Sequence, residues 1–176
     1  DTHTVAFCEE CFGKEQAAEA ARLLNLTCKF NGRSTAEMLD ARTLAIDEWP
    51  RVIGEYKDLE IAALNQFSAI SPQYRDTYRQ LILFPIQAMS NIYQMYYAQA
   101  MNQQFYKEQN PECNRWADEV ESCFRRDSVL CAYYNKEMAG GKWDGMMTQK
   151  HIGYRSWNDD FAEGNVMPRV SRMAEQ

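Results

Sequence analysis

Apolar residues recur at steps of three and four in three stretches of the chain, which is the spacing of one face of an α-helix. The first stretch follows Asp47 and contains Trp49, Val52, Ile53, Tyr56, Leu59, Ala63, Phe67 and Ile70. Pro50 suits the first turn of this helix, because the N–H that proline lacks has no partner there. Ser71-Pro72 then predicts the end of this helix and the start of the next.

The second stretch has two apolar rows side by side. One row is Tyr74, Tyr78, Leu81, Pro85, Met89, Ile92 and Tyr96, and the other is Ile82, Ile86, Tyr93, Tyr97 and Met101. So wide a face predicts a helix that is buried against more than one neighbour, with its tyrosines in the core. Pro85 lies in the interior and removes one backbone hydrogen bond, so we expect a kink there.

The third stretch begins at Asn110-Pro111, which is a cap and first-turn signal. Its apolar positions are Trp116, Val120, Cys123, Phe124, Leu130, Cys131, Tyr134 and Met138. Gly140 and Gly141 follow and predict its C-terminal end, because glycine adopts the left-handed cap conformation without strain.

Two shorter helices complete the predicted elements. One covers Lys14 to Leu26, and the other starts at Ser34, where Glu37 has capping-box spacing. No stretch alternates as a strand would. We therefore predict an all-α, antiparallel helical bundle with three long helices and one or two short ones in residues 1–141. Residues 142–176 are expected to form a long ordered C-terminal loop, rich in aromatic residues and glycine, packed on the bundle within a single domain.

Composition narrows the classes of partner. The chain has 176 residues, enough for one domain with a substantial core. It carries 19 basic and 25 acidic residues and a formal net charge of -6, which argues against a nucleic-acid-binding surface. No apolar run approaches the roughly 20 residues of a membrane span, so we predict no membrane partner.

The cysteines include one C-x-x-C pair, formed by Cys8 and Cys11. The remaining four are Cys28, Cys113, Cys123 and Cys131. A zinc site usually takes two such pairs and no second pair is present, so we predict no metal site and no cofactor. Buried thiols and one or two disulfides both remain open as interpretations.

The two histidines, His3 and His151, limit the chemistry that the chain can carry. Di-iron bundles use Glu-x-x-His pairs, whereas Thr148 stands three residues before His151. A Cys–His nucleophile pair with His151 is formally possible, but every cysteine lies in a segment that reads as structural. Asp144 and Asp159 are interpreted as turn or capping residues rather than as paired catalytic carboxylates. No catalytic residue is assigned.

The segment from Gly140 to Trp157 has no clean period, and long ordered loops of this type are often functional. The candidate substrate-binding residues are Lys142, Trp143, His151, Tyr154, Arg155 and Trp157. The aromatic rings offer flat faces to a sugar ring, and the lysine and arginine can pair with a carboxylate. The alternative interpretation is that this loop packs back on its own bundle.

This segment resembles the C-terminal helical region of glycoside hydrolase family 115, the xylan α-1,2-glucuronidases. The family pattern runs roughly Y-N-x-x-L-A-G-G-K-W-N-H-M-M-D-Q-T-H-I-G-Y-T-x-W, followed by N-x-M-P. The matching residues are Tyr134-Asn135, Ala139-Gly140-Gly141-Lys142-Trp143, Met146-Met147, Gln149, His151-Ile152-Gly153-Tyr154, Trp157 and Asn165-Val166-Met167-Pro168. The family's tyrosine-rich helix and a short upstream motif are matched by Tyr74-Arg75-Asp76, Leu81, Pro85, Asn91, Tyr96-Tyr97, Asn102 and Asn31-Gly32-Arg33. The resemblance covers most of the chain.

The resemblance implies a helical domain of a larger secreted or periplasmic enzyme whose catalytic residues belong to a preceding (β/α)8 barrel. The implied substrate is xylan or glucuronoxylan, from which the whole enzyme releases glucuronic acid or its 4-O-methyl ether with inversion. This chain shows no alternation of strands and helices. We therefore expect the isolated chain to be inactive and to support the barrel, mediate homodimerisation or wall the active-site cleft.

The chain also departs from the family pattern. Asp144-Gly145 stands where relatives usually have Asn-His, and Lys150 replaces a threonine. If the missing imidazole serves substrate in relatives, this protein has lost that contact. Two other functions are therefore kept as alternatives, an autonomous carbohydrate-binding module and a helical interaction module, both without glycosidase activity.

Overall fold

The structure, a computed structural model, describes residues 2–33, 38–137, 151–152 and 165–175. The helices of this part of the chain are α1 (Thr2–Phe12), α2 (Ala17–Asn31), α3 (Trp49–Ala69), α4 (Arg75–Tyr78), α5 (Phe84–Lys107) and α6 (Glu112–Ala132). No strand occurs among these described residues, and the predicted all-α helical bundle is confirmed. None of these helices combines the length and the apolar character that crossing a membrane requires.

Two of the long helices begin where the sequence predicts. Pro50 lies in the first turn of α3, directly after Trp49. The first backbone N–H of α6, that of Glu112, donates to Asn110 Oδ1 at 3.0 Å. The side chain of Asn110 thus satisfies one of the backbone donors that every helix start leaves without an internal partner.

α1 was not predicted, and α2 extends beyond the predicted end at Leu26. α1 buries Cys8 and Phe12, and the Phe12 ring packs edge-on against Tyr78 with centroids 5.4 Å apart. Gly13 adopts a φ of +88° between the two helices, a conformation that glycine reaches without strain. α1 buries only two side chains, so its apolar face is too sparse to show a clear period in the sequence.

The centre of the core is aromatic. Tyr93 of α5 stacks on Tyr56 of α3 with ring centroids 4.8 Å apart, and Trp49 meets Tyr93 edge-on at 6.0 Å. All three side chains are fully buried or nearly so. The Tyr56 hydroxyl donates to Asn31 Oδ1 at 2.9 Å, so its polar end is satisfied as burial requires. The predicted core position of the tyrosine-rich helix is confirmed.

Pro85 does interrupt the second long helix, and the interruption takes the form of a π turn. Residues Arg79–Leu83 are π-helical and join α4 to α5. Proline has no N–H for the carbonyl four residues before it, and its ring crowds that carbonyl. The wider π turn accommodates the ring while the chain continues as helix.

α5 and α6 form an antiparallel hairpin closed by buried asparagines. Asn91 Nδ2 donates to the Cys123 carbonyl at 2.8 Å, and Asn102 Nδ2 donates to the Cys113 carbonyl at 2.8 Å. The later residue of α5 meets the earlier residue of α6, which is the antiparallel order. Each amide bridges the two helices through a backbone carbonyl, so these bonds fix their register.

Residues 165–175, named here the C-terminal strap, lie extended along this hairpin. The Ser171 N–H donates to Asn102 Oδ1 at 3.0 Å, and its carbonyl accepts from Asn102 Nδ2 at 2.8 Å. Asn114 bonds Met173 in the same two ways, at 2.8 and 2.9 Å. An extended segment cannot satisfy its own backbone groups. Because an amide side chain carries the donor and acceptor of a peptide, each asparagine takes the place of a neighbouring strand.

All six cysteines are free thiols, so the structure favours the thiol interpretation over disulfides. Cys8 is buried on α1, and burial, with a smaller contribution from Cys11, raises the pKa of its thiol. Cys28 is exposed. Two other sequence predictions, the helix start at Ser34 and the division between bundle and loop at residue 141, lie outside the described residues. Residues 39–48, which follow Ser34, form turns and bends.

Candidate functional site

His151 is the one predicted site residue that the structure describes. Lys142, Trp143, Tyr154, Arg155 and Trp157 lie outside the described residues, as do the carboxylates of Asp144 and Asp159. The candidate functional site is therefore built outward from His151.

The position of His151 is fixed from the backbone by an asparagine of the strap. The N–H groups of His151 and Ile152 both donate to Asn165 Oδ1, at 2.9 and 3.1 Å. The Val166 N–H donates to the Ile152 carbonyl at 3.1 Å. Ile152 itself is fully buried in the main core. The residues on either side of 153–164 are thus hydrogen-bonded to each other, and Ile152 anchors them in the core of the bundle.

His151 meets a buried carboxylate near the end of α6. Its Nε2 lies 2.8 Å from each carboxylate oxygen of Asp127. Cys131 follows Asp127 by one helical turn, so both project from the same face of α6. Its Sγ lies 3.9 Å from Asp127 Oδ2 and 4.0 Å from His151 Nε2. We name this group of three side chains the Asp–Cys–His cluster.

Burial makes the pair of Asp127 and His151 energetically important. The Asp127 side chain is 1% exposed and that of His151 is 12% exposed. An ionised carboxylate can only accept hydrogen bonds, so Nε2 carries the proton that joins them. A carboxylate without such a partner would be costly at this depth. Loss of the imidazole would therefore destabilise the end of α6 as well as the histidine segment.

The cluster is not arranged as a nucleophilic relay. In a Cys–His–Asp relay the nucleophile and the carboxylate face opposite ring nitrogens of the histidine. Here both Cys131 Sγ and the Asp127 carboxylate face Nε2. The Cys–His pair that the sequence allowed is thus close in space, and Asp127 does not occupy the position of a relay carboxylate in it. Instead, one nitrogen, one oxygen and one sulfur donor lie within 4.8 Å of one another.

Asp127 and Cys131 were missed as site residues, although the sequence contains a signal for Asp127. The apolar stripe of α6 includes Val120, Cys123 and Cys131, and Asp127 falls on it at helical spacing. A carboxylate on a buried face needs a buried partner, and His151 is the partner. Asn165 was noted only as part of the family-like N-x-M-P stretch, because the spacing of a polar residue in a loop carries no signal of burial or contact.

An open groove of about 340 Å³ lies elsewhere, between α3, α5 and α6. It includes Tyr97 and Trp116, whose rings meet edge-on with centroids 5.4 Å apart. The guanidinium of Arg115 lies over the Trp116 ring, 4.6 Å from its centroid. This arginine competes with any sugar ring for that aromatic face, so the groove is a poor stacking platform.

Comparison with known proteins does not identify the chain. No protein-family model matches it, and no curated protein is significantly similar to it. The resemblance to the glucuronidase family therefore depends on the motif residues and stays a prediction.

Proposed function

We propose that this chain is the non-catalytic helical domain of a xylan α-1,2-glucuronidase-like glycoside hydrolase, where it supports the catalytic (β/α)8 barrel. The observation that carries the proposal is the role of the motif asparagines. Asn91 and Asn102 close the hairpin of α5 and α6, and Asn165 fastens His151 and Ile152.

These asparagines come from two separate stretches of the family pattern. Each makes side-chain-to-backbone bonds that depend on its own shape and position. The polar residues of the family pattern thus stabilise the helical framework of this chain. This supports a fold shared with the family along the whole chain, rather than a chance match of one short segment. It also supports a structural role for the domain, because the three asparagines stabilise the fold through bonds to the backbone.

An exposed apolar surface supports a contact with a neighbouring domain. Glu60 of α3 and Arg126 of α6 form an ion pair at 3.7 Å that joins the two helices. On the turns that follow, four large apolar side chains are exposed, by 58%, 44%, 67% and 41% respectively: Ile61, Leu64, Val129 and Tyr133. Because these side chains follow the two partners of one ion pair, we expect them to share a face, and exposed apolar faces are typical of interaction sites. We assign this surface first to the barrel and second to a homodimer.

The aromatic segment is the part of the domain that we propose can reach the cleft. Ile152, within this segment, and Val166, which follows it, are joined by a backbone hydrogen bond, so the two ends of the stretch 153–164 lie beside each other. A segment held at both ends is suited to walling a neighbouring site. This role ranks behind barrel support because its candidate residues, apart from His151, lie outside the described part of the chain.

The implied substrate gives the proposed location. Xylan is an extracellular polymer, so we propose that the parent enzyme is secreted or periplasmic. The free thiols do not add to this argument, because oxidising compartments favour disulfides. Location is therefore inferred from the substrate alone.

The test is release of methylglucuronic acid from glucuronoxylan by three proteins: this chain, the polypeptide of the full open reading frame, and that polypeptide without this domain. We expect activity from the full polypeptide, none from this chain, and a large loss without the domain. Activity of this chain alone would overturn the proposal and would direct attention to Asp144, Asp159, Asp160 and Glu163 as acid and base.

The same samples separate the alternatives. A carbohydrate-binding module predicts that this chain alone binds glucuronoxylan oligosaccharides in a calorimetric titration. A helical interaction module predicts neither binding nor a loss of activity when the domain is removed. Either result would replace barrel support as the function of the chain.

A further inference from the structure

We propose that Asp127, Cys131 and His151 form a binding site for a zinc-class divalent transition metal. The proposal is independent of the glycoside hydrolase assignment, because it concerns side chains within this bundle and no substrate. It also differs from the sequence prediction of no metal site, which considered the C-x-x-C pair of α1 and a Glu-x-x-His motif at His151 but did not consider Asp127 or Cys131.

The geometry of the cluster is close to that of a metal centre. Tetrahedral zinc with bonds of ~2.0–2.3 Å sets neighbouring ligand atoms ~3.3–3.7 Å apart. Cys131 Sγ lies 3.9 Å from Asp127 Oδ2 and 4.0 Å from His151 Nε2. The 2.8 Å between Nε2 and the carboxylate is a hydrogen-bond distance, and a small rotation of either group opens it to metal-ligand spacing. All three donors lie at the ends of side chains, so we expect side-chain rotation to bring them to that spacing.

The donor set selects the class of metal. One imidazole nitrogen, one thiolate sulfur and one carboxylate oxygen are the three ligand types that zinc uses. Calcium and magnesium prefer several oxygen ligands, and this group offers a single carboxylate. Binding would release the thiol proton of Cys131 and move the Nε2 proton of His151 to Nδ1 or to solvent, because both atoms must present a lone pair. A fourth position remains for water or another ligand.

The surroundings hold the three ligands in place before a metal arrives. Asp127 and Cys131 are one turn apart on a 21-residue helix, and His151 is set by the two hydrogen bonds of Asn165. Asp127 is buried, and Cys131 is partly buried beside the Phe84–Tyr134 ring pair. Rigid, partly dry ligands lower the cost of assembling a site. A bound ion would therefore fasten the His151 segment to α6.

The site can be tested on the full chain after removal of metal with a chelator. Zinc is added back, stoichiometry is measured by elemental analysis and affinity by competition with a chromophoric chelator. We expect one equivalent of zinc per chain. Cobalt(II) in its place should give a thiolate-to-cobalt charge-transfer band and intense tetrahedral visible bands. Zinc at a hundredfold excess over Kd should raise the Tm by about 5–10 °C.

Variants locate the site. Cys131→Ser and His151→Gln should each weaken zinc binding by at least about 100-fold, and Cys131→Ser should abolish the charge-transfer band. Two controls should bind as the parent does: Cys123→Ser, on the same helix, and the double variant of Cys8→Ser with Cys11→Ser. Circular dichroism of each metal-free variant confirms folding.

Three results would overturn the proposal. One is a folded parent chain that takes up no zinc, which would leave the cluster as a hydrogen-bonded aspartate–histidine pair. Another is binding that is lost in the Cys8 and Cys11 double variant. The last is binding that is retained in both Cys131→Ser and His151→Gln. None of these results depends on hydrolysis of xylan, so failure here is distinguishable from failure of the proposed function.

Discussion

Two regions of the bundle are held together by different kinds of interaction. Around α3 and α5 the contacts are apolar and aromatic, with Trp49, Tyr56 and Tyr93 buried against one another. Where α6 meets the later chain the contacts are directional, between asparagine amides and the C-terminal strap and between Asp127 and His151. The first region excludes water, and the second satisfies polar groups that burial would otherwise leave unpaired.

The difference has a consequence for function. Apolar packing tolerates substitutions of similar volume, whereas a buried amide that bonds a backbone has few substitutes. Three residues of the family-like pattern, Asn102, His151 and Asn165, take part in the directional contacts, where shape and donor pattern are both required. Substitutions in the two regions should therefore differ in how much they lower the free energy of unfolding. They should also differ in the measurement that detects them.

The largest expected effect is in the aromatic core. Trp49→Ala removes a fully buried ring and should lower the free energy of unfolding by about 3–5 kcal/mol. Urea denaturation followed by circular dichroism measures this change. Val129→Ala, at a position 67% exposed, is the control and should stay within about 0.5 kcal/mol of the parent. Similar losses in the two variants would contradict the distinction between core and surface.

The next effect concerns the buried pair and is measured without metal. Asp127→Ala and His151→Ala should each cost about 1–3 kcal/mol, because each leaves a buried polar group without its partner. The double variant should cost less than the sum of the two by at least about 0.5 kcal/mol, since the partners are in contact. Additive losses would show that the 2.8 Å contact does not stabilise the fold.

The two regions also differ in how far the sequence predicts them. The helices α3, α5 and α6 follow from apolar spacing and from cap signals such as Asn110, because burial of one face dictates the period. The contacts of Asn102 with Ser171 join residues far apart in the chain, and nothing local in the sequence marks that pairing. Sequence spacing describes what lies on a face, and it does not say which distant segment lies against that face.

The candidate site shows the same division. His151 was selected because it lies in a family-like segment, while its partners Asp127 and Cys131 had been assigned to a structural helix. Asp127 is detectable as a carboxylate on an apolar stripe. The partner of such a carboxylate depends on where the later chain returns to the bundle, and that return is fixed by Ile152 and Asn165. Tertiary structure was needed to bring these residues together.

A more local effect is expected where the strap meets the hairpin. Asn102→Ala removes two donated bonds and one accepted bond and should cost about 1–3 kcal/mol. In hydrogen exchange, the amide of Ser171 should lose protection while the amides of central α3 keep it. Asn114→Ala should cost less, because Asn114 is partly buried and its side chain bonds Met173 and, more weakly, the thiol of Cys113. Uniform loss of protection across the bundle would mean that the strap is part of the same cooperative unit as the core.

The smallest effect distinguishes the cysteines by environment and leaves the fold intact. Burial, reinforced by Glu119, raises the pKa of Cys123 from its ordinary value of 9.0 to about 12. Its thiolate population near pH 8 is therefore about 1,000-fold lower than that of an unperturbed thiol, and the thiolate is the reactive form. Iodoacetamide should modify exposed Cys28 first and Cys123 last, as measured by peptide mass spectrometry.

The raised pKa of Cys123 also predicts how stability depends on pH. Because the pKa is higher in the folded state than in the unfolded chain, the free energy of unfolding is highest below pH 9 and declines as the pH rises toward 12. Cys123→Ala should remove this contribution to the alkaline decline in stability. In the labelling experiment, early modification of Cys123 at pH 8 would show that the contacts covering it on α6 open more readily than their apolar character implies.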